Sequence, residues 1–214
     1  MTDPRVSVVL PVKDGEATVG RAIESILAQT YEAFQLVVVD DGSEDGTAAV
    51  LAGYADRRLE VVRTPHIGLG SALRLAMARS RGEIIARQDA DDVSWPERIE
   101  RQLELFDRMP ETVVIGVDWE ERDRTDRIMR QRRPFVAGRL GRSLLQVNPV
   151  FHGAVAFRKE AAERAGGYNP SFRFAQDYDL WLRMAEVGAV YNHPEVLATR
   201  YMDGTNIAAR HEQA

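Results

Sequence analysis

The first half of the chain alternates short apolar runs with stretches of helical periodicity. Residues 6–10 are a mostly apolar run of strand length. The apolar positions that follow have the i, i+3, i+4, i+7, i+8 spacing of an amphipathic helix: Val19, Ala22, Ile23, Ile26 and Leu27. The alternation continues with predicted strands at 35–39, 59–63 and 83–87 and predicted helices at 48–54 and 70–79. Repeated β-α-β units with continuous apolar strands predict a parallel sheet covered by helices on both faces.

The pattern changes after Asp92. The run from Ser94 to Glu97 has the form of a capping box with Ser94 as the N-cap, and it predicts the start of a helix. The inward residues of that helix would be Ile99, Leu103 and Phe106. The remaining predicted elements are strands at 112–117 and 153–157, a helix at 179–186, and a charged loop at 120–142 that lacks apolar periodicity.

Composition limits the class of protein. The 214 residues suffice for one full core, so we expect one domain. A net charge of −5 argues against a general nucleic-acid binder, because phosphate backbones require an excess of positive charge. The chain has no cysteine, so any metal would be held by oxygen ligands or by the four histidines. Without a secretory leader pattern or an apolar run approaching about 18 residues, the sequence predicts a cytoplasmic protein.

Acidic side chains follow the ends of three predicted strands. The first strand leads into Asp14, the second ends at Asp40-Asp41, and the fourth leads into the run 89–92. Ligands of open α/β sheets bind at the carboxyl ends of the strands, so these acids should share one rim. Clustered carboxylates repel one another unless a cation or a set of donors compensates them. A divalent hard cation together with a substrate diphosphate would meet that need.

The spacing of Asp89 and Asp91 carries further information. On an extended segment, side chains two residues apart would project to the same side. One could then hold the metal while the other meets a ribose or a metal-bound water. Taken alone, Asp-x-Asp fits a solvated turn equally well, and its position after a buried strand favours the site. Dinucleotide-binding, P-loop and nucleophile-elbow motifs are absent from the sequence.

Motifs along nearly the whole chain resemble the inverting family 2 glycosyltransferases with the GT-A fold. They include Val39-Asp40-Asp41-Gly42-Ser43 and Gln88-Asp89-Ala90-Asp91-Asp92, as well as segments 6–11, 25–31, 96–102, 152–158, 166–169 and 176–183. The resemblance implies a mostly parallel central sheet flanked by helices. A Rossmann-like nucleotide-binding half, residues 1–92, would be fused to an acceptor-binding half, residues 93–214. The implied activity is transfer of one sugar from a nucleotide-diphosphate sugar, UDP-linked by resemblance, to an acceptor hydroxyl with inversion.

The resemblance also assigns roles to residues. Asp41 would accept the N3–H of a uracil, Asp91 would bind Mn²⁺ or Mg²⁺, and Asp177 would be the general base. The other implied nucleotide-binding residues are Pro11, Val12, Asp14, Asp40, Asp89 and Ala90. The implied acceptor or diphosphate contacts are Trp95, His152, Gly153 and Gln176. Asp203 stands where relatives often have a histidine that reaches the metal or the diphosphate, and it could serve as an oxygen ligand.

Several departures from the family pattern bear on these assignments. Lys13-Asp14 stands where many relatives have Tyr-Asn, so the base pocket could differ in detail. Gln176 replaces a common Glu, which leaves Asp177 as the sole carboxylate of that pair. The Gln-x-x-Arg-Trp motif of processive members is absent, which favours transfer of a single sugar.

Structural interpretations stand beside the functional ones. Asp179 is interpreted as a helix N-cap and Trp181 as a core residue. Trp95 could stack on a sugar or pack as a hydrophobic staple, and His152 could contact the acceptor or be a satisfied buried histidine. We assign no role to the other histidines: His66, His193 and His211.

The arginine-dense stretch from Arg122 to Arg142 has two interpretations. It is either a solvated loop or an acceptor-side loop that meets a phosphate-bearing or lipid-linked acceptor at the inner membrane surface. The acceptor itself could be a saccharide, a lipid-linked molecule or a small molecule. Two other functions remain open for the chain: a nucleotidyltransferase making sugar nucleotides, and a non-catalytic module that binds nucleotide sugars. The first lacks its usual Gly-rich, basic loop between Pro11 and Gly20, and the intact Asp89, Asp91 and Asp177 speak against the second.

Overall fold

In a computed structural model, which describes residues 3–131, 137–172 and 174–202, four parallel strands form the first half of the sheet. They lie in the order β3-β2-β1-β4. The strands are β1 (Val6–Val12), β2 (Phe34–Asp41), β3 (Leu59–Thr64) and β4 (Ile84–Arg87). The connecting helices are α1 (Val19–Leu27), α2 (Thr47–Ala52) and α3 (Leu69–Arg79). Every element that hydrophobic periodicity predicts in this half is therefore present.

The second half extends the same sheet with strands of both directions. Its strands are β5 (Val93–Ser94), β6 (Thr112–Arg122), β7 (Ile128–Gln131), β8 (Gly138–Arg139), β9 (Ala156–Arg158) and β10 (Ala189–Tyr201). Its helices are α4 (Arg98–Arg108), α5 (Lys159–Arg164) and α6 (Gln176–Ala185). Strand β9 is antiparallel to β4 and β6, whereas β10 runs parallel to β6. The result is a 10-stranded mixed sheet flanked by helices, which confirms the predicted α/β class.

Two apolar clusters cover the two faces of this sheet. Alternate residues of β1 divide between them, since Val8 joins one cluster and Val9 the other. Helices α1 and α4 cover the Val8 face, where Ile99, Leu103 and Phe106 are buried as predicted. Helices α3, α5 and α6 cover the Val9 face, and Trp181 is fully buried there. The period of two along the strand thus fixes which helix packs on which face.

The predicted capping box is wrong. Ser94 belongs to β5, which pairs with Ala198 and Thr199 of β10, and its hydroxyl donates to Gln88 Oε1. Helix α4 begins four residues later, at Arg98, with no side-chain cap. The N-cap prediction for Asp179 is also wrong. Helix α6 begins at Gln176, and Asp179 lies inside its first turn, where it accepts a hydrogen bond from Arg183.

The predicted loop at 120–142 is wrong at its beginning. Strand β6 continues to Arg122 and pairs with β7, because its polar side chains find partners within the sheet. Glu120 is 2% exposed, and it accepts hydrogen bonds from Thr199 Oγ1 and Arg122 Nε. The strand predicted at 153–157 is a short 3-10 helix, His152–Ala154, followed by β9. Within the described ranges, helices are too short or too polar to cross a bilayer.

Candidate active site

Asp41, the last residue of β2, is held by the loop that follows β3. Its carboxylate accepts the backbone N–H groups of Ile67 (2.6 Å) and Gly68 (3.0 Å). The Nδ1 atom of His66 lies 2.9 Å from Asp41 Oδ2. The carboxylate is only 4% exposed, and these donors compensate its burial. His66, to which the sequence analysis assigned no role, is therefore part of this pocket.

Asp40 and Asp14 stabilise the loops next to that pocket. Asp40, which is 1% exposed, accepts the Ser43 N–H at 2.9 Å and lies 3.4 Å from Arg63 Nε. Asp14 has a φ of 51° and accepts the Glu44 N–H at 2.8 Å, a hydrogen bond that lowers its pKa. Residues 11 and 12 complete the wall: Pro11 pairs with Val39, and Val12 pairs with Asp40. These residues lie at the ends of the neighbouring strands β1 and β2 and in the loop after β1, and their described contacts are with loop and strand groups.

The second group of acids follows β4. Ligand oxygens of Asp89, Asp91 and Asp92, hereafter the acid triplet, all lie within 4.8 Å of one another. The segment is a turn around Ala90 and Asp91 and not an extended run, since the Asp92 N–H donates to the Asp89 carbonyl at 3.4 Å. That turn brings Asp92, which the spacing argument did not single out, beside Asp89.

Asp92 is the most deeply buried member of the acid triplet. It is 3% exposed and accepts the Tyr201 N–H at 3.2 Å. Burial, followed by repulsion from Asp89 and Asp91, raises its pKa well above the ordinary value. Three carboxylates with oxygens this close repel one another, and a divalent hard cation would offset that repulsion. Such a cation takes oxygen ligands of this kind, so the acid triplet fits it. Asp203 lies outside the described residues.

Asp177 lies in the first turn of α6 and is partly exposed. Asn148 Nδ2 donates to its Oδ2 at 2.9 Å. The preceding Gln176 is 7% exposed, and Ala175 before it has a left-handed φ of 55°. This arrangement leaves Asp177 with one fixed oxygen and one that the described hydrogen bonds leave open.

Tyr168 is buried beside His152. Its hydroxyl lies 2.9 Å from His152 Nε2. Burial raises the pKa of Tyr168, and Arg87 opposes that effect. The phenol is therefore a neutral hydrogen-bonding group. Burial, followed by Arg87, lowers the pKa of His152 well below its ordinary value, so its imidazole is neutral.

Gly153 and Trp95 occupy different parts of this region. A Cβ at position 153 would lie 2.6 Å from Asp92 Oδ2 and 2.8 Å from Asp89 Oδ2. Any larger residue at position 153 would therefore displace these carboxylates. Trp95 packs at the β5–β10 edge, where its Nε1 donates to Thr199 Oγ1 at 3.1 Å. The described contacts of Trp95 are structural and do not include Asp177.

The model of glycosyl transferase family 2 matches residues 7–166. The chain belongs to this family. AmsE of Erwinia amylovora, named as an amylovoran biosynthesis glycosyltransferase, is 32% identical over 189 residues, which are 86% of this chain and 71% of AmsE. EpsE of Bacillus subtilis (strain 168), also named as a glycosyltransferase, is 32% identical over 201 residues, covering 91% of this chain and 72% of EpsE.

Solved structures of S. aureus TarS share the fold. Residues 1–349 of TarS superpose with a TM-score of 0.77 at 18% sequence identity, over 92% of this chain and 60% of that one. The same TarS segment has been solved in complex with UDP and with UDP-GlcNAc. The likeness establishes the GT-A fold for the family member described here. The chain spans less than two thirds of the TarS segment.

Proposed function

We propose that this chain is an inverting, metal-assisted glycosyltransferase that takes a sugar from a nucleotide-diphosphate donor, UDP-linked, to an acceptor hydroxyl. The observation that carries the proposal is the acid triplet after β4, whose ligand oxygens all lie within 4.8 Å of one another. A cation and diphosphate site alone would support binding. Asp177, which is partly exposed and held through one oxygen by Asn148, adds a group able to accept a proton.

The donor would occupy the rim between β2 and β4. Asp41 offers a fixed carboxylate at the base end, and Val12 and Pro11 form the adjoining wall. The UDP complex of TarS, which has the same fold, supports a UDP-linked donor. Residues 1–92 would thus form the donor half and residues 93–214 the acceptor half.

Asp91 and Asp92 would hold the divalent cation, with Asp89 close to both. When bound, Mn²⁺ or Mg²⁺ supplies Lewis-acid stabilisation of the negative charge on the departing diphosphate. Arg21 supports this edge of the site, because its Nη2 donates to the Asp91 carbonyl at 3.1 Å and its guanidinium lies 3.5 Å from the Tyr201 ring centroid. Tyr201 in turn holds Asp92 through its backbone N–H.

Asp177 would accept the proton of the acceptor hydroxyl. The acceptor oxygen then forms a bond to the anomeric carbon as the bond from that carbon to the diphosphate oxygen breaks, and the electron pair leaves with the nucleotide. A single in-line displacement of this kind inverts the anomeric configuration. Asn148 fixes one oxygen of Asp177 and thereby orients the other.

Replacing Asp177 by Asn tests the proposal. General base catalysis contributes about 10²–10⁴-fold, so the Asp177→Asn protein should lose transfer by that factor. It should still bind UDP in the presence of Mn²⁺, because the base lies outside the donor pocket. Transfer is measured as UDP release with a panel of UDP-sugars and acceptors, and binding by calorimetry.

The matched control is Asp179→Asn. Asp179 lies two residues further along the same helix and pairs with Arg183, so its loss should affect stability more than turnover. Transfer that survives in the Asp177→Asn protein would assign the base to another residue. Pyrophosphate release from a nucleoside triphosphate and a sugar phosphate would instead identify a nucleotidyltransferase.

A further inference from the structure

Arg87, the last residue of β4, lies beneath the acid triplet. Its side chain is only 2% exposed, and β4 is paired on both sides, by β1 and β9. Burying a guanidinium is costly unless it is paired. We propose that Arg87 is a positioning residue of the donor site, whose guanidinium holds Asp89 and offsets the charge of the acid triplet so that a diphosphate can bind. The inference rests on the proposed function.

The contacts of Arg87 commit it to Asp89. Its Nη2 pairs with Asp89 Oδ1. Its Nε and Nη1 atoms are buried and have no hydrogen-bond partner among the described residues. The Arg87 carbonyl accepts a hydrogen bond from Arg98 Nη1 at 3.1 Å, which fixes the backbone from which the guanidinium projects. The charge of Arg87 is thus directed to one carboxylate of the site.

The acids around Arg87 keep it charged. Burial acts to lower its pKa, but Asp89, Tyr168 and Asp92 together raise it. Burial lowers the pKa of His152 well below its ordinary value, so its imidazole adds no positive charge at neutral pH. The guanidinium of Arg87 therefore supplies positive charge beside Asp89, with which it pairs.

Because Arg87 holds Asp89, the three acids of the triplet have different roles. One oxygen of Asp89 is held by Arg87, which limits rotation of its carboxylate. Asp91 and Asp92 remain as the acids that can approach a cation together. Without Arg87 the site would carry one more unit of net negative charge where the diphosphate binds, and Asp89 would be free to rotate. Both changes disfavour the donor.

The test compares Arg87→Met with wild type in two binding measurements. Calorimetric binding of UDP in the presence of Mn²⁺ should weaken by at least about tenfold, the lower end of the effect of removing one close charge partner. Binding of uridine, which lacks the diphosphate, should stay within about twofold of wild type. Adding Asp89→Asn removes the charge that Arg87 balances, so the Arg87→Met substitution should have a much smaller effect in the Asp89→Asn background.

Two controls separate positioning from a structural role. Arg158→Met also removes a partly buried guanidinium, but Arg158 lies at the other end of β4, opposite Ile84, and donates to the Thr112 and Phe106 carbonyls, so UDP binding should be retained. Arg87→Lys keeps the charge and should lose less UDP affinity than Arg87→Met; it replaces Arg87→Met in the comparison if that protein does not fold. Equal losses of UDP and uridine affinity, or equal effects of Arg87→Met in both backgrounds, would overturn the inference.

The wild-type measurement distinguishes this inference from the proposed function. If the wild-type protein does not bind UDP with Mn²⁺, the proposed function fails and the role of Arg87 fails with it. If wild type binds and Arg87→Met binds equally well, only the positioning role is overturned.

Discussion

Adjacent residues of the same type have different tasks in this site. Asp40 turns inward to hold the Ser43 N–H, whereas Asp41 is held by the loop after β3. The sequence predicts that both acids lie at the rim, because the apolar run before them defines where the strand ends. It does not predict the contact between His66 and Asp41, because that contact depends on how the loop after β3 folds back onto β2.

Asp92 shows a second limit of prediction from spacing. The period of two applies to extended chain and singles out Asp89 and Asp91. A turn replaces the extended segment and brings positions 89 and 92 together instead. The sequence therefore shows which acids follow β4, but only the backbone conformation shows which of them lie next to each other.

His152 should make stability depend on pH. Its pKa in the folded protein lies below the ordinary value of 6.5, so the unfolded chain takes up a proton more readily. Above about pH 6.5 the histidine is neutral in both states and does not reduce the free energy of unfolding. As pH falls below that value, the free energy of unfolding decreases by at most about 1.4 kcal/mol per pH unit. Between pH 7 and pH 5, urea unfolding of wild type should therefore show a larger loss of free energy than that of His152→Gln.

The control for this experiment is His66→Gln. The His66 side chain is 61% exposed, so its removal should leave the pH dependence of wild type in place. Parallel curves for wild type and His152→Gln would show that His152 is not the group responsible.

At the scale of elements, the structure departs from the sequence where polar side chains are buried. Strand β10 shows no clear alternation of apolar and polar residues, and β6 continues through acidic residues. Both are strands because they pair with each other in parallel. Glu120 and Thr199, one from each strand, form a hydrogen bond that neither local sequence contains. Helices α1, α2 and α3, whose apolar faces are local, are predicted well. The starts of α4 and α6 are not, because these helices begin without the side-chain caps that the motifs suggest.

The start of α6 carries local strain. Ala175 has a φ of 55°, a conformation that costs a residue with a Cβ about 1–3 kcal/mol. A β-branched residue is disfavoured further there. Ala175→Val should therefore lower the free energy of unfolding by about 1–2 kcal/mol, and Ala175→Gly should equal or exceed wild type, measured by urea denaturation.

Ala185→Val is the matched control, since Ala185 is exposed at the other end of the same helix. It should cost only about 0.5 kcal/mol of helix propensity. If Ala175→Val proved no more costly than Ala185→Val, the left-handed conformation before Asp177 would be incorrect.

At the scale of the whole molecule, one sheet brings distant segments to the same rim. Strand β1 lies between β2 and β4, so the Asp41 pocket and the acid triplet flank a common strand. Strand β9, antiparallel to β4, places the His152–Ala154 turn against the triplet, and Asp177 lies at the start of α6. Parallel topology could be predicted from the β-α-β pattern, but the antiparallel β9 could not, because its three residues carry too little periodicity.

This arrangement predicts that the two donor subsites act together. A molecule that binds both, UDP with Mn²⁺, should stabilise the protein more than uridine or Mn²⁺ alone, because ligand stabilisation grows with concentration relative to Kd. At a ligand concentration about 100 times Kd the gain is about 2.7 kcal/mol, or roughly 5–10 °C in Tm for a chain of this size. Asp91→Asn should lose the Mn²⁺-dependent part of the shift and keep the response to uridine. Equal shifts from UDP with and without Mn²⁺ in wild type would contradict a cation bridging the acid triplet and the diphosphate.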